Sequence, residues 1–315
     1  FERGVYVCEG KDYEMCDTFL PTVNPEAPFE LTAEESELVE KLHHSFRVSD
    51  KLQRHIRRLF QQGCMYNVCN GNLLFHASVP LNADGSLKEV PLPDGKFAGK
   101  ELMHRIGMIM RSAFRPEAPQ PEREYARDYF WYLWCGPDSP LFGKDRMTTF
   151  ERYFLTDKEM HTEQKGYYFQ FRDDPAVCDR ILDAFGVQGP YRHIINGHVP
   201  VHVAKGENPS KAGGKLMVID GGFSRAYHRT TGIAGYTLVY HSRGFQLIQH
   251  EPFTSTKEAI ENGLDIKSST QIVEMTGHRM RVRDTDKGHE IQAQINDLRN
   301  LVYAYRHGLI KEQQG

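Results

Sequence analysis

The chain has 315 residues, of which 39% are hydrophobic and 26% are charged, and its formal net charge at pH 7 is −3. These values are typical of a globular protein, and the length allows one large domain or two of ordinary size. Lys and Arg are spread along the chain without a basic tail or stripe, which argues against a nucleic-acid partner. No apolar run approaches the length that a membrane crossing needs.

The beginning of the chain and its cysteines bear on where the protein works. The first residues lack the basic and apolar regions of a signal peptide, and none of the six cysteines belongs to a CxxC pair. We therefore expect a reduced, cytoplasmic protein without a disulfide framework or a zinc ribbon. Because the chain does not begin with Met, we also expect it to be the later part of a longer polypeptide.

The first predicted element after an irregular, proline-containing start is a helix. Thr32 and Glu35 have the spacing of a capping box, and Leu38, Leu42 and Phe46 then recur on one helical face. Ser49 or Asp50 can cap a second helix directly afterwards.

A hairpin follows these helices. Asn70-Gly71 lies between two strand-like runs, and both residues tolerate the positive φ of a tight hairpin turn. The second strand would end in His76, which is followed by small residues. A histidine in this position is either a buried structural side chain or a metal ligand, and the pattern alone leaves both readings open.

The middle of the chain is less regular. We expect a polar loop or hairpin over residues 81–100, a helix over residues 99–111, and a proline-rich link over residues 113–123 that is either a boundary or an extended crossing segment. The aromatic run at residues 129–135 is typical of a core. The loop after it ends at Lys144, which could line an anionic pocket.

The second half alternates strand, helix and strand, which favours an α/β architecture. Asp174-Pro175 begins a helix that Gly186 ends, and the next two strands run into the turns Gly197-His198 and Asp220-Gly221-Gly222. Open α/β sheets bind ligands at the carboxyl ends of their strands, so both turns are candidate sites. Further on we expect a hairpin over residues 236–250, a basic strand over residues 278–283, and a closing helix from about residue 290 to 305.

Two histidines at strand ends beside an Asp-Gly-Gly turn suit phosphoryl chemistry at a metal centre. Such a site also needs carboxylates that bridge two ions, and the sequence shows no motif that would supply them. Other chemistries have less support, because the sequence contains no GxSxG, no P-loop and no GxGxxG.

Five longer runs make the chain similar to the class III fructose-1,6-bisphosphatases, a bacterial family with the calcineurin-like metallophosphoesterase fold. The resemblance spans nearly the whole chain. The runs are residues 134–144 (WCGPDSPLFGK), 149–154 (TFERYF), 197–201 (GHVPV), 219–223 (IDGGF) and 231–238 (TGIAGYTL).

The resemblance implies a fold and its division. The fold would be α/β with mixed sheets, as part of a layered β-sandwich flanked by helices, with an inserted, mostly helical region. Residues 1–80 would continue the metallophosphoesterase core, residues 81–165 would form the inserted or cap region, and residues 166–315 would complete the core.

The resemblance also implies an activity and a metal. The family hydrolyses fructose 1,6-bisphosphate to fructose 6-phosphate in gluconeogenesis, usually with Mn²⁺. His76 and His198 would bind the same ion, and Asp220 would support His198 or its turn, because ligand imidazoles need an orienting acceptor. Lys144, Lys211 and Arg225 are weaker candidates for the substrate phosphate, and each is equally well a surface cation.

The same comparison leaves alternatives open. Family members are about twice as long, and their remaining ligands and catalytic residues lie in an N-terminal half, so this chain would supply only the C-terminal half of a dinuclear site. The chain could instead be a non-catalytic module for sugar-phosphate binding or oligomerisation. It could also be a related metallophosphatase that acts on a phosphoprotein or a dinucleotide. Homo-oligomerisation is left open.

Overall fold

The computed structural model describes residues 3–224, 226–253, 255–263 and 267–311, and the chain divides into two compact units. Unit 1 comprises Phe1–Met65 and Glu89–Gly166, and unit 2 comprises Tyr66–Lys88 and Tyr167–Gly315. The predicted first segment, residues 1–80, is therefore distributed over both units. Its assignment to a core and that of residues 81–165 to an inserted region stay predictions.

The regular elements of the described residues are numbered here in chain order. The strands are β1 (Val5–Cys8), β2 (Lys11–Glu14), β3 (Tyr66–Cys69), β4 (Asn72–Phe75), β5 (Val90–Leu92), β6 (Gly95–Phe97), β7 (His193–Asn196), β8 (Ser210–Lys211), β9 (Leu216–Val218), β10 (Gly235–His241), β11 (Gly244–His250) and β12 (Ser268–Met275). The α-helices are α1 (Ala33–Val48), α2 (Asp50–Gln62), α3 (Gly99–Ser112), α4 (Gln120–Cys135), α5 (Phe150–Phe154), α6 (Tyr168–Phe171), α7 (Pro175–Ala184), α8 (His228–Thr231), α9 (Thr256–Asn262) and α10 (Asp286–Arg306).

Unit 1 is mainly helical. Its first helix begins as predicted, because Glu35 N–H donates to the Thr32 hydroxyl while the Glu35 carboxylate accepts from Thr32 N–H. Helices α3 and α4 pack together and bury apolar side chains such as Leu102, Ile106 and Leu133. The antiparallel hairpins β1–β2 and β5–β6 complete the regular structure of this unit.

The aromatic run of unit 1 departs from the prediction of a core segment. Helix α4 already begins at Gln120, within the predicted link, and buries only one side of the run, where Tyr129 and Leu133 lie. Trp131 and Trp134 are 66% and 57% exposed. The reason is helical periodicity, since one packed face takes only every third or fourth side chain.

Unit 2 is built on a five-stranded sheet with the strand order β3-β4-β7-β9-β8. Strands β4, β7 and β9 are parallel neighbours, whereas β3 and β8 are antiparallel edges. The predicted Asn70-Gly71 turn joins β3 to β4, with φ values of +49° and +77°. Helix α7 packs against β7 with the predicted Asp174 cap, in which Ala176 N–H donates to the Asp174 carboxylate.

A second sheet forms another layer of unit 2. It is antiparallel in the order β10-β11-β12, and its Phe245 packs against Ile195 and Met217 of the five-stranded sheet. Helices, a mixed sheet and an antiparallel sheet thus combine in one unit, which confirms the predicted α/β class with mixed sheets. Among the described residues, no helix combines the length and apolarity that a bilayer crossing requires.

The prediction of a strand over residues 278–283 is wrong. This segment is irregular and ends in a short 3₁₀ turn, Val282–Asp284, while the strand of this region is β12. The Asp284 carboxylate accepts from Arg281 N–H, and Met280 N–H donates to the carbonyl of Ser242. These local and loop bonds take the place of a strand ladder, so the alternating charges do not mark a sheet face.

Candidate metal centre

Three parallel strands bring the predicted site residues to one edge of the five-stranded sheet. His76 directly follows β4, Gly197-His198 directly follows β7, and Asp220 lies two residues after β9. Because the strands are parallel neighbours, their carboxyl ends lie side by side. Residues that are far apart in the sequence therefore meet in one place.

The two histidines are in direct contact. Nε2 of His76 lies 3.0 Å from Nδ1 of His198, and the ring centroids are 4.8 Å apart with the planes inclined by 63°. The backbone holds the two turns together, because Gly197 N–H donates to the carbonyl of His76 at 2.9 Å. His76 is on the exposed side of this contact, whereas His198 is half-buried.

His198 has an unusual backbone conformation. Its φ is +69°, and Val199 N–H donates to the Gly197 carbonyl at 2.8 Å, which closes a three-residue turn around the histidine. A positive φ costs energy in a residue with a side chain, and such strain concentrates at functional sites. The turn directs the imidazole of His198 toward His76.

Asp220 completes the described part of the edge. Its Oδ1 accepts from Gly222 N–H at 2.9 Å, and its Oδ2 would lie 3.8 Å from a Cβ placed on Gly197. Partial removal of the His76 imidazole from water by its neighbours lowers its pKa, although the residue keeps an exposed side, and the negative charge of Asp220 opposes this shift. Asp220 thus contacts the turn and acts electrostatically on His76, while its predicted role in supporting His198 stays a prediction.

Asn196 is a site residue that the sequence reasoning missed. The side-chain Nδ2 donates to the Ala77 carbonyl at 2.9 Å. The backbone carbonyl of Asn196 accepts from Ile219 N–H at 2.9 Å. Asn196 is only 2% exposed, and its side chain links the end of β7 to the segment after β4, while its backbone continues the pairing of β7 with β9. A polar residue that follows Ile194 and Ile195, directly before Gly-His, is the signal that could have identified it.

Comparisons with known proteins show which family the chain is related to. The sequence profile described as Firmicute fructose-1,6-bisphosphatase matches residues 1–307. The chain belongs to this family. The resemblance noted from the five runs is thereby confirmed.

Among its relatives are proteins named fructose-1,6-bisphosphatase class 3. That of Phocaeicola vulgatus is 62% identical over 314 residues, that of Bacteroides fragilis 59% over 313, and that of Alkaliphilus metalliredigens 50% over 316. These alignments cover 99–100% of the present chain but only 47–48% of the relatives, so the chain spans about half the length of the curated relatives it matches. No solved structure matches the chain with significant similarity.

The donor set of this member of the fructose-1,6-bisphosphatase family fits part of a metal site. The two imidazole nitrogens are separated by 3.0 Å, which is a hydrogen-bond distance in this structure and is also short enough for both nitrogens to bind one ion at about 2.1 Å. Within the described ranges, no group of three or more His, Cys, Asp or Glu side chains is arranged to hold an ion. His76 and His198 therefore fit as a pair of adjacent ligands and not as a whole coordination shell.

The three cations predicted to meet the substrate phosphate have different surroundings. Lys211 is 11% exposed and lies 3.3 Å from Glu207 in unit 2. Lys144 belongs to unit 1, where its Nζ lies 2.6 Å from Glu163. Arg225 lies outside the described residues. Their assignment to substrate stays a prediction for each of the three.

Proposed function

We propose that this chain is part of a metal-dependent fructose-1,6-bisphosphatase of the bacterial cytoplasm. It would act in gluconeogenesis with Mn²⁺, releasing phosphate and fructose 6-phosphate from fructose 1,6-bisphosphate. The observation that carries the proposal is the 3.0 Å approach of Nε2 of His76 to Nδ1 of His198 at the carboxyl edge of parallel strands. The printed names of the relatives support the substrate.

His76 and His198 are the residues that would hold the ion. When bound, Mn²⁺ would supply Lewis-acid chemistry, because it neutralises phosphate charge and polarises the phosphorus–oxygen bonds. For both inward-facing nitrogens to bind a cation, His76 must carry its proton on Nδ1 and His198 on Nε2. The Asp220 carboxylate favours cation binding beside His76, and Asn196 holds the two turns at a constant distance.

The remaining ligands and the catalytic groups would come from the other half of the longer polypeptide. This part of the proposal is supported by the length of the relatives, of which the chain covers 47–48%. The chain would then contribute two imidazoles, an orienting carboxylate and the loops that carry them.

Binding of Mn²⁺ to the purified 315-residue chain tests the proposal. We expect His76→Ala and His198→Ala each to weaken Mn²⁺ binding at least tenfold, as measured by electron paramagnetic resonance of the free ion. His289→Ala is the matched control, because His289 is exposed on α10. This variant should bind Mn²⁺ as tightly as the unaltered chain. Unchanged binding in both site variants would exclude the two histidines as ligands.

Phosphate release separates the remaining alternatives. Turnover of fructose 1,6-bisphosphate by the chain alone would exclude the non-catalytic module. Binding of fructose 1,6-bisphosphate that is unchanged in His76→Ala and His198→Ala, without turnover, would instead favour the module. Faster hydrolysis of a phosphoprotein or a dinucleotide would show a related phosphatase with another substrate.

A further inference from the structure

Three buried polar atoms of unit 2 have no hydrogen-bond partner of normal geometry among the described residues. They are the hydroxyl oxygens of Tyr168 and Tyr236 and the Oδ1 of Asn196. The three side chains are 2%, 5% and 2% exposed. An unpaired buried polar group costs about 1–3 kcal/mol, and native proteins satisfy nearly all such groups with protein, water or a ligand. The Tyr168 hydroxyl and the Asn196 amide lie beside each other without normal hydrogen-bond geometry, whereas the Tyr236 hydroxyl has no partner among the described residues. These groups therefore indicate a polar site that protein atoms alone do not fill.

Two nearly buried cations lie in the same unit and share one carboxylate. Arg172 Nη2 and Lys211 Nζ lie 2.9 Å and 3.3 Å from the same oxygen, Oε1 of Glu207. Arg172 is 12% and Lys211 is 11% exposed. The next carboxylate, Asp173, is 3.9 Å from Lys211 and 64% exposed. The interior group thus carries more positive than negative charge, which favours an additional anion.

The unpaired hydroxyls border these charges. Burial raises the pKa of Tyr168 far above its ordinary value, and the positive charge of Arg172 opposes the shift. Burial raises the pKa of Tyr236 to about 12, and the Glu207 carboxylate adds to the shift. Tyr168 begins α6 and Arg172 caps its C-terminal end four residues later, a spacing that puts both side chains on one side of the turn. Helix α8, which leads to β10 and Tyr236, contacts the 3₁₀ turn Val203–Lys205 that precedes Glu207. The two hydroxyls and the two cations therefore belong to the same part of unit 2.

The same region adjoins the candidate metal centre. The ring of Tyr168 packs edge to face on Phe75, the residue before His76, with the centroids 5.7 Å apart. The Asn196 amide lies beside the Tyr168 hydroxyl and directly precedes Gly197-His198. Glu207 is held by the loop after that turn, since its Oε2 accepts from His202 N–H at 3.0 Å.

We propose that Tyr168, Arg172, Lys211 and Tyr236 form a phosphate-binding subsite beside the histidine pair. The two hydroxyls and the two cations all donate hydrogen bonds, and a phosphate group offers several strong acceptor oxygens. Glu207 bridges the two cations through one carboxylate oxygen and so holds them in place, while Asn196 accepts from Tyr168 or from a protonated phosphate oxygen. That the phosphate belongs to a sugar phosphate rests on the proposed function, whereas binding of the phosphate group itself does not.

Thermal unfolding of the whole chain with and without inorganic phosphate, in buffer containing EDTA, tests the subsite. A ligand that binds the folded state raises the unfolding temperature, and the rise grows with the logarithm of the ligand concentration relative to Kd. We expect a rise with phosphate in the unaltered chain and an at least tenfold weaker phosphate affinity in Arg172→Met and Lys211→Met. Lys215→Met is the matched control, because Lys215 pairs with Asp179 and should retain the response.

The conservative variants Tyr168→Phe and Tyr236→Phe keep the test informative even if loss of a cation prevents folding. Each removes one hydroxyl and should reduce the rise with phosphate. Tyr236→Phe should also stabilise the phosphate-free chain, whereas Tyr168→Phe should not, because the Tyr168 hydroxyl lies beside the Asn196 amide. Tyr240→Phe is their control, because Tyr240 lies on β10 as Tyr236 does and its hydroxyl already donates to Met280 Sδ. An undiminished rise in both phenylalanine variants would overturn the subsite.

Further measurements distinguish a sugar phosphate from free phosphate as the ligand, and they distinguish the subsite from the proposed metal site. A larger rise with fructose 6-phosphate than with inorganic phosphate would assign the subsite to a sugar phosphate, and an equal rise to phosphate itself. No rise with either compound in the unaltered chain would overturn the subsite. Since EDTA removes Mn²⁺, these outcomes are independent of whether His76 and His198 bind metal.

Discussion

The backbone N–H of Gly197 donates a 2.9 Å hydrogen bond to the carbonyl oxygen of His76. This bond continues the parallel pairing of β4 and β7, in which Leu74 is the partner of Ile195, beyond the last residues of both strands. It is the reason why two imidazoles that are 122 positions apart in the sequence reach a distance of 3.0 Å. Contact between the side chains is thus a consequence of strand register, and Asn196 and His198 are the residues whose substitution tests it.

Asn196 should be required for both stability and metal affinity. Asn196→Ala removes the donor to the Ala77 carbonyl and leaves a buried acceptor unpaired. We expect the free energy of unfolding to fall by about 1–3 kcal/mol and Mn²⁺ affinity to fall about tenfold or more, measured by urea denaturation and metal titration. Asn300→Ala, on the exposed face of α10, is the control. Unchanged Mn²⁺ affinity would show that the amide does not position the histidines.

The positive φ of His198 can be separated from its role as a ligand. His198→Gly and His198→Ala both lack the imidazole, but only glycine adopts a φ of +69° without steric cost. We expect the glycine variant to be more stable than the alanine variant by about 1 kcal/mol in chemical denaturation. Equal stabilities would mean that the turn relaxes to another conformation once the histidine is absent.

Gly221 should not accept a side chain. A Cβ at this position would lie 2.5 Å from Cα of Gly235 and 2.8 Å from Cδ1 of Ile233, so the loop after Asp220 would have to move away from β10. We expect Gly221→Ala to lower the free energy of unfolding by about 2–3 kcal/mol. Gly277→Ala, where no atom lies within 4 Å of the added carbon, should change it by less than about 0.5 kcal/mol. Similar stabilities of the two variants would contradict the close approach.

Glu163 should stabilise unit 1 in a pH-dependent manner. Burial acts to raise its pKa, but hydrogen bonds from Lys144 and Thr148 outweigh it and lower the pKa below the ordinary 4.5. The folded state therefore binds fewer protons than the unfolded state, and the stabilisation present at neutral pH is lost as the pH falls below 4.5 through the folded pKa. We expect Glu163→Gln to cost about 1–3 kcal/mol at pH 7 and much less near pH 3.

The fluorescence of Trp131 and Trp134 measures this effect selectively. Both tryptophans of the chain lie on α4 of unit 1 and therefore report on the unit that contains Glu163. Glu37→Gln is the matched control, because Glu37 forms an exposed pair with Lys41. If the free energy of unfolding of Glu163→Gln differed from that of the unaltered chain by the same amount at pH 7 and at pH 3, the lowered pKa would be contradicted.

Cys178 should be the least reactive thiol. Burial raises its pKa to about 12, whereas Cys16, Cys64 and Cys69 are exposed. Since the thiolate is the reactive form, we expect the exposed thiols to react rapidly with Ellman's reagent at pH 8 and Cys178 to react only on unfolding. Cys178→Ala should remove one slowly reacting thiol from the count. Rapid reaction of all six thiols in the folded chain would contradict the burial of Cys178.

Elements with local causes were predictable from the sequence. The capping box of Thr32 and Glu35 and the turn at Asn70-Gly71 were both confirmed, because their hydrogen bonds and φ values depend on residues no more than a few positions apart. The predictions for Trp131 and for residues 278–283 were wrong, since burial and strand pairing depend on which distant segment lies alongside.

By itself, the sequence determined the α/β class, the family and the strand ends that carry His76 and His198. It could not determine that Nε2 of one histidine would face Nδ1 of the other, that Asn196 would join the three strand ends, or that Lys211 would share a carboxylate with Arg172. These relationships depend on the parallel order of β4, β7 and β9, and strand order is chosen by packing energies summed over the whole unit. Short-range patterns therefore located the candidate ligands, and only the tertiary structure brought them together.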